Sequence, residues 1–273
     1  MDLSKIKLIA TDMDGTLLNS KHEVSDEFFE LFNKIKSHDI LFVAASGRPY
    51  YSMVDKLAKI KDEIIIVSEN GGHGVENDKL FLSSPIYGDN LKEICDLIMN
   101  LKETHAVFCA RNEAFVLSDS KMLLKLLKEF YPKHSFINNI LEITEPIYKV
   151  ALFHEQSSER FIYPFIKHIK NRFKVKVSAN HWVDISNNKA NKGHAIALIQ
   201  EKYNISQEDT MAFGDYNNDI EMLKLAKFSF AMENAHKDVK AITNFNTKSN
   251  DDNGVEYVLK QTIDAKERAL KAN

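Results

Sequence analysis

Cysteine is scarce in this chain. Only Cys95 and Cys109 occur, at a spacing that builds neither a zinc site nor a disulfide framework, so two free thiols and a reducing compartment are expected. Charge of one sign is also missing. The formal net charge is −3 and the isoelectric point lies near 6.4, with lysines scattered among glutamates, which leaves no electrostatic footprint for a nucleic acid or an anionic membrane. No uninterrupted apolar segment approaches the roughly 20 residues that a bilayer span needs, and the stretch from Met1 to Lys5 lacks the apolar run of a secretory signal. A cytoplasmic protein is therefore expected. The histidines form no His-Glu-x-x-His pattern, and there is neither an internal repeat nor a low-complexity linker.

What the chain does have is four short polar segments placed where regular structure begins or ends. They are Asp12-Met13-Asp14-Gly15-Thr16, Ser46-Gly47-Arg48, Lys192-Gly193 and Gly214-Asp215-Tyr216-Asn217-Asn218-Asp219. Three follow apolar runs that read as buried strands: Lys7 to Thr11, Ile40 to Ala45 and Met211 to Phe213. Lys192 opens a helix instead, and the helix start Asn191-Lys192-Gly193 favours it over its neighbour Lys189. In an open parallel sheet, ligands bind beyond the carboxyl ends of the strands, so these segments can converge on one pocket.

The residue types specify a chemistry. Carboxylates 4 Å apart repel by about 4 kcal/mol at an effective dielectric near 20, so Asp12, Asp14, Asp215 and Asp219 together require a cation. Oxygen ligands point to a hard ion, and magnesium suits a site that completes its coordination with water and phosphate. An aspartate can attack phosphorus to form an aspartyl-phosphate. Lys192 and the metal would offset the phosphoryl charge, while Ser46 and backbone N–H groups orient the group. A calcium loop beginning at Asp215 is excluded, because Ile220 stands where such a loop needs glycine and Ala226 where it needs glutamate.

The stretch Ala10 to Leu18 and the run Gly214 to Leu223, followed by Ala231-Met232-Glu233-Asn234-Ala235, resemble the first and last motifs of the haloacid dehalogenase superfamily, in its Cof-like branch of sugar-phosphate phosphatases. The resemblance in order and context covers most of the chain outside roughly 84 to 180. It implies that Asp12 is the nucleophile and that Asp14 is the acid and base, also lending its main-chain carbonyl to the metal. Asp12 and Asp215 would bind Mg2+ directly, with Asp219 orienting the metal's water shell. Ser46, Lys192 and Asn218, with the backbone of Met13 and Gly47, would grip the phosphoryl group. Arg48 and Asn70 stand beside these turns as candidate substrate contacts; Arg111, His181 and Trp182 are weaker candidates on the inserted region. Tyr216 departs from the smaller residue common in the family, with only a modest effect expected on the pocket rim.

Strands and helices alternate from Ile6 to Leu82: a helix from Ser25 to Ser37, a helix whose first turn is set by Pro49, a strand at Ile64 to Val67 and a hairpin around Asn77-Asp78. Near Ser83-Ser84-Pro85 the pattern changes. Helices are then expected at Asn90–Lys102, Lys121–Phe130 and Ser158–Arg172, with strands at Ala106–Ala110, Glu113–Leu117, Tyr148–Phe153 and Val175–Val183, forming an α+β module with an antiparallel sheet. The expected fold is α/β: a Rossmann-like parallel-sheet core (1–83 and 187–273) with an inserted α+β cap (84–186). The expected activity is magnesium-dependent hydrolysis of a small phosphorylated metabolite, a sugar phosphate or a phosphorylated cofactor, by a monomer or weak homodimer. A phosphomutase and a non-catalytic phosphate-ester sensor are the alternatives. The intact pair Asp12 and Asp14 disfavours the sensor.

Overall fold

The computed structural model describes residues 2–272, which leaves Met1 of the amino-terminal reading and Asn273 outside the described residues. Five strands come first: β1 (Leu8–Thr11), β2 (Leu41–Ala45), β3 (Ile65–Ser68), β4 (His73–Glu76) and β5 (Lys79–Ser83). Six follow: β6 (Thr104–Cys109), β7 (Ala114–Leu117), β8 (His134–Phe136), β9 (Lys149–His154), β10 (Phe173–Ala179) and β11 (Trp182–Asn187). The chain closes with β12 (Thr210–Gly214), β13 (Phe228–Ala231) and β14 (Phe245–Asn246). They make two sheets. The first runs β14-β13-β12-β1-β2-β3-β4-β5 and the second β10-β11-β9-β6-β7-β8.

In the first sheet, all pairs from β14 to β3 are parallel, and β4 and β5 add an antiparallel edge. Helices on both faces bury every residue of β1, β3 and β13, which is why these segments read as unbroken apolar runs rather than alternating ones. Strand order reverses between β1 and β12, where Thr11 lies opposite Phe213. This switch point opens a crevice at the carboxyl ends of the two strands, and Asp12 and Asp215 follow those ends directly.

Local signals account for the core helices. In the helix Asp26–Ser37, Ser25 caps the start by accepting from Phe28 N at 3.0 Å, and Asp26 and Glu27 in the first turn and Lys34 and Lys36 in the last suit the helix dipole. Its apolar face, Phe28, Leu31, Phe32 and Ile35, follows helical spacing and is buried against the sheet, each side chain contributing about 2 kcal/mol. Pro49 stands one position earlier than expected: it is the N-cap, with φ −62° and ψ 150°, and the helix runs Tyr50–Lys56. The expected hairpin forms, with Asn77 and Asp78 both at positive φ between β4 and β5.

Two expectations in the second region need correction. The single helix Ser158–Arg172 is instead three short pieces, Ser158–Phe161, Tyr163–Ile166 and a 3-10 turn at Lys167–Asn171. Pro164 accounts for the first break, at Ile162 with φ −112°, because it has no N–H to give to the preceding turn and so falls in the first turn of a new helix. The single strand Val175–Val183 is instead the hairpin of β10 and β11, turning at Asn180-His181. One pair in this sheet, β7 with β8, is parallel; the other pairs are antiparallel. Its apolar side chains form two clusters of their own, one on each face. Cys95 and Cys109 are both free and buried. Among the described residues, no helix is long and apolar enough to cross a membrane.

Candidate active site

Three carboxylates meet at the switch point. Asp12, Asp215 and Asp219 each place an oxygen within 4.8 Å of the others. Lys192, the first residue of the helix Lys192–Tyr203, is fully buried among them. Its ammonium donates to Asp12 Oδ1 and, at 2.7 Å, to Asp219 Oδ1. The helix start is fixed by Asn191, whose side chain accepts from His194 N, so the lysine is delivered by a capped first turn rather than by a free loop. Asp219 is held from the other side as well: its Oδ2 accepts from Asp215 N and Tyr216 N, both at 3.1 Å, folding the loop back onto the end of β12.

The electrostatics follow from this packing. Burial works against the charge on Lys192, yet Asp12 and Asp219 outweigh it and hold the ammonium above its ordinary range. Burial lifts Asp12 well above the usual carboxylate range; Lys192 opposes that, and Asp219, Asp215 and Asp14 add to it. Asp215 is pushed up to about 6, by burial first and by Asp219 second. One ammonium is too little charge for this many buried carboxylates. A hard divalent cation fits the all-oxygen donor set and would relieve the repulsion. Gly15 lets the two loops approach: its φ is +75°, and a Cβ there would strike the Asp215 carboxylate.

Asp14 is held apart from this cluster. Arg48 grips its carboxylate in a fork, Nε to Oδ2 and Nη2 to Oδ1, both at 2.7 Å. His22 Nδ1 lies 3.3 Å from the same Oδ1. Arg48 is itself buried and reaches the second region, donating to Glu129 Oε1 at 2.9 Å and to the Glu129 main-chain carbonyl at 3.3 Å. Ser46 is buried and accepts from Arg48 N at 3.1 Å. Asn218 Nδ2 donates to Asn70 Oδ1 at 3.0 Å, joining the last loop to the one after β3. The Met13 side chain is fully buried in the core, so only its backbone can serve the site.

A cavity of about 330 Å³ joins these groups. Asp12, Asp14, Ser46, Asn70, Asp215 and Asn218 line it from one side, as do Gly47 and Arg48. Phe130, Tyr131, Lys149, Lys176, Trp182 and Asp184 line it from the second sheet and its helix. Of the three weaker candidates, Trp182 reaches the cavity; Arg111 and His181 are not among its lining residues, and His181 contacts the main chain of His154 instead. Tyr216 does stand at the rim. Lys149 was absent from the sequence-based candidates, yet its ammonium is buried, 2.8 Å from Glu69 and donating to Gly47 O at 2.8 Å. The alternation Lys174-Val-Lys176-Val and Trp182-Val-Asp184-Ile was the available signal for the other missed residues, since it puts their polar side chains on one face.

A family model described as haloacid dehalogenase-like hydrolase matches residues 9–259. The 5-amino-6-(5-phospho-D-ribitylamino)uracil phosphatase YbjI of Escherichia coli is 30% identical over 264 residues, covering 94% of this chain and 96% of that protein. The phosphatase YwpJ of Bacillus subtilis is 29% identical over 300 residues, covering 94% of this chain and all of its own (100%). A crystal structure from Streptococcus mutans superposes with a TM-score of 0.85 at 31% identity, covering 94% of this chain and 98% of that one.

Proposed function

The chain belongs to the haloacid dehalogenase-like hydrolases and is a phosphoric monoester hydrolase, and from that premise we propose that it hydrolyses a small phosphorylated metabolite, a sugar phosphate or a phosphorylated cofactor, with magnesium and through an aspartyl-phosphate. The observation that carries this reading is the buried Lys192 ammonium between Asp12 and Asp219, with Asp215 in reach, at the switch point of the parallel sheet. Asp12 and Asp215, with the main-chain carbonyl of Asp14, would hold the ion, and Asp219 would orient its water. Bound there, magnesium supplies positive charge against the phosphoryl oxygens.

Asp12 attacks phosphorus, forming a P–O bond as the bond to the leaving oxygen breaks, and Asp14 gives that oxygen its proton. Asp14 then takes a proton from the water that cleaves the acyl phosphate. Both its oxygens accept from Arg48 in the resting arrangement, so the proton it gives and takes would sit on a lone pair that Arg48 leaves open. Lys192, Ser46 and Asn218 hold the transferred group, together with the backbone of Met13 and Gly47. Residues 84–186 act as a cap that excludes bulk water during the first step.

The test is phosphate release from p-nitrophenyl phosphate and a panel of sugar phosphates, with magnesium and with chelator. Asp12→Asn should reduce kcat by about a thousandfold or more without unfolding the protein, since an amide can neither attack nor neutralise the metal. Near-normal turnover by that variant, or turnover indifferent to chelator, refutes the mechanism.

A further inference from the structure

The turn Ser46-Gly47-Arg48 has all three of its main-chain carbonyls tied down, and one of the ties comes from the second sheet. Ser46 O accepts from Asn70 N at 2.9 Å and Arg48 O from Glu69 N at 3.0 Å. Gly47 O, between them, accepts from the ammonium of Lys149, the first residue of β9, at 2.8 Å. The two backbone donors lie in a segment that has to be held. Glu69, Asn70 and Gly71 have φ of 50°, 56° and 90°, a left-handed run that suits only the glycine. Other residues stay in that region only where their surroundings over-determine them. This run also touches the rest of the phosphoryl site: Asn70 Oδ1 accepts from Asn218 Nδ2, and a Cβ on Gly71 would strike the main chain of Asn191, the N-cap of the helix Lys192–Tyr203. Glu69 is its buried end. Among the described residues Glu69 Oε1 has no hydrogen-bond partner, and the charge that faces the carboxylate is again Lys149, 2.8 Å from Oε2.

We propose that Lys149 is a positioning residue for the phosphoryl grip: through Gly47 O and Glu69 it sets the segments that carry Ser46 and Asn70, and through Asn70 the contact with Asn218. The grip is therefore complete only with β9 of the cap in place. Lys149 lines the cavity, but its ammonium is engaged by the two loops, so it acts through them. The consequence is the opposite of leaving-group selection, because every phosphate ester and a bare phosphoryl analogue should depend on Lys149 to the same extent. This rests on the phosphatase reading above.

Two variants test it: Lys149→Met, and Lys149→Met combined with Glu69→Met, which removes the buried carboxylate that the single change strands. The readouts are calorimetric binding of orthovanadate with magnesium, and kcat/KM on p-nitrophenyl phosphate and glucose 6-phosphate. Vanadate affinity and kcat/KM on both esters should fall by about tenfold or more, to a similar extent, and in the double variant as in the single one, whatever stability the double variant regains. A double variant within about threefold of the intact protein in all three readouts would show Lys149 only balancing the charge of Glu69 and overturns the proposal, as does a loss confined to one ester. If the intact protein hydrolyses neither ester, the phosphatase reading fails and vanadate binding alone decides. A tenfold loss of affinity in the double variant then keeps Lys149 as the positioning residue; no loss, or no vanadate bound by the intact protein, overturns it.

Discussion

The two sheets do different work with the same kinds of side chain. In the parallel sheet, the charged groups at the strand ends are over-determined: Lys192 is shared by two carboxylates, and Asp219 is held by Lys192 and by two backbone N–H groups. In the second sheet, Lys176 and Asp184 line the same cavity, and among the described residues neither side chain has a hydrogen-bond or ion-pair partner. Helices cover both faces of the first sheet. The helix Lys121–Phe130 covers only part of one face of the second, packing over β6, β7 and β9 and leaving the face of β10 and β11 toward the site. Rigid, mutually satisfied charges suit chemistry that is the same for every substrate, while unpaired groups on a partly open face suit discrimination among leaving groups.

Removing the central cation should have the largest effect. Lys192→Met leaves Asp12 and Asp219 buried without their partner, which should cost about 3–5 kcal/mol in denaturant unfolding without metal. Millimolar magnesium should return part of that loss, since it binds the folded state. A stability unchanged from the intact protein would mean that the carboxylates share protons and that the core's charges are not over-determined.

The joint between the two regions comes next. Lys149→Met leaves Glu69 buried with no cation and should destabilise by about 3 kcal/mol, whereas replacing both residues with methionine should restore most of it. A double variant no better than the single one would show that Gly47 O, rather than Glu69, is the contact that matters.

The metal response should depend on pH with a defined sign. Because Asp215 is raised to about 6 from an ordinary value near 3.8, the metal-free fold is favoured below the ordinary value and loses that contribution as pH climbs through about 6. Magnesium needs the ionised form, so its stabilisation should be larger at pH 7.5 than at pH 5, approaching about 2.7 kcal/mol at a hundredfold excess over Kd. Thermal melts at both pH values, with and without magnesium, check this. An equal shift at the two pH values counts against Asp215 as a ligand. The smallest effect belongs to Arg111→Ala and His181→Ala, which should change kcat/KM by about twofold or less because neither lines the cavity. A tenfold loss in either would redraw the wall of the cavity.

Much of this was legible in the chain. The apolar runs ending in Asp12, Ser46 and Gly214, the helix near Ser25 to Ser37, and the opening of the helix at Lys192 are local signals, and each appears in the fold where it was expected. The misreadings were local too: Pro164 and the Asn180-His181 turn were breaks that an apolar pattern concealed. The wall of the cavity was a different matter. Its polar residues sit in alternating strands that look like ordinary half-exposed β structure.

The sequence by itself determined the chemistry available to this protein, because strand periodicity, capping and loop composition act over a few residues. It placed the carboxylates, the lysine and the hydroxyl at the ends of elements whose order implies one crevice. Only the tertiary structure decided which of these groups are spoken for. Arg48 meets Asp14 and Glu129 across 34 and 81 positions of chain, and Lys149 meets Gly47 across 102. Those pairings depend on how two sheets dock, and the opposition of Lys176 and Asp184 depends on the register of a hairpin. A one-residue slip in that register would separate the pair while leaving the sequence unchanged, which is why Lys176 and Asp184 could be placed on the cavity wall only in the folded molecule.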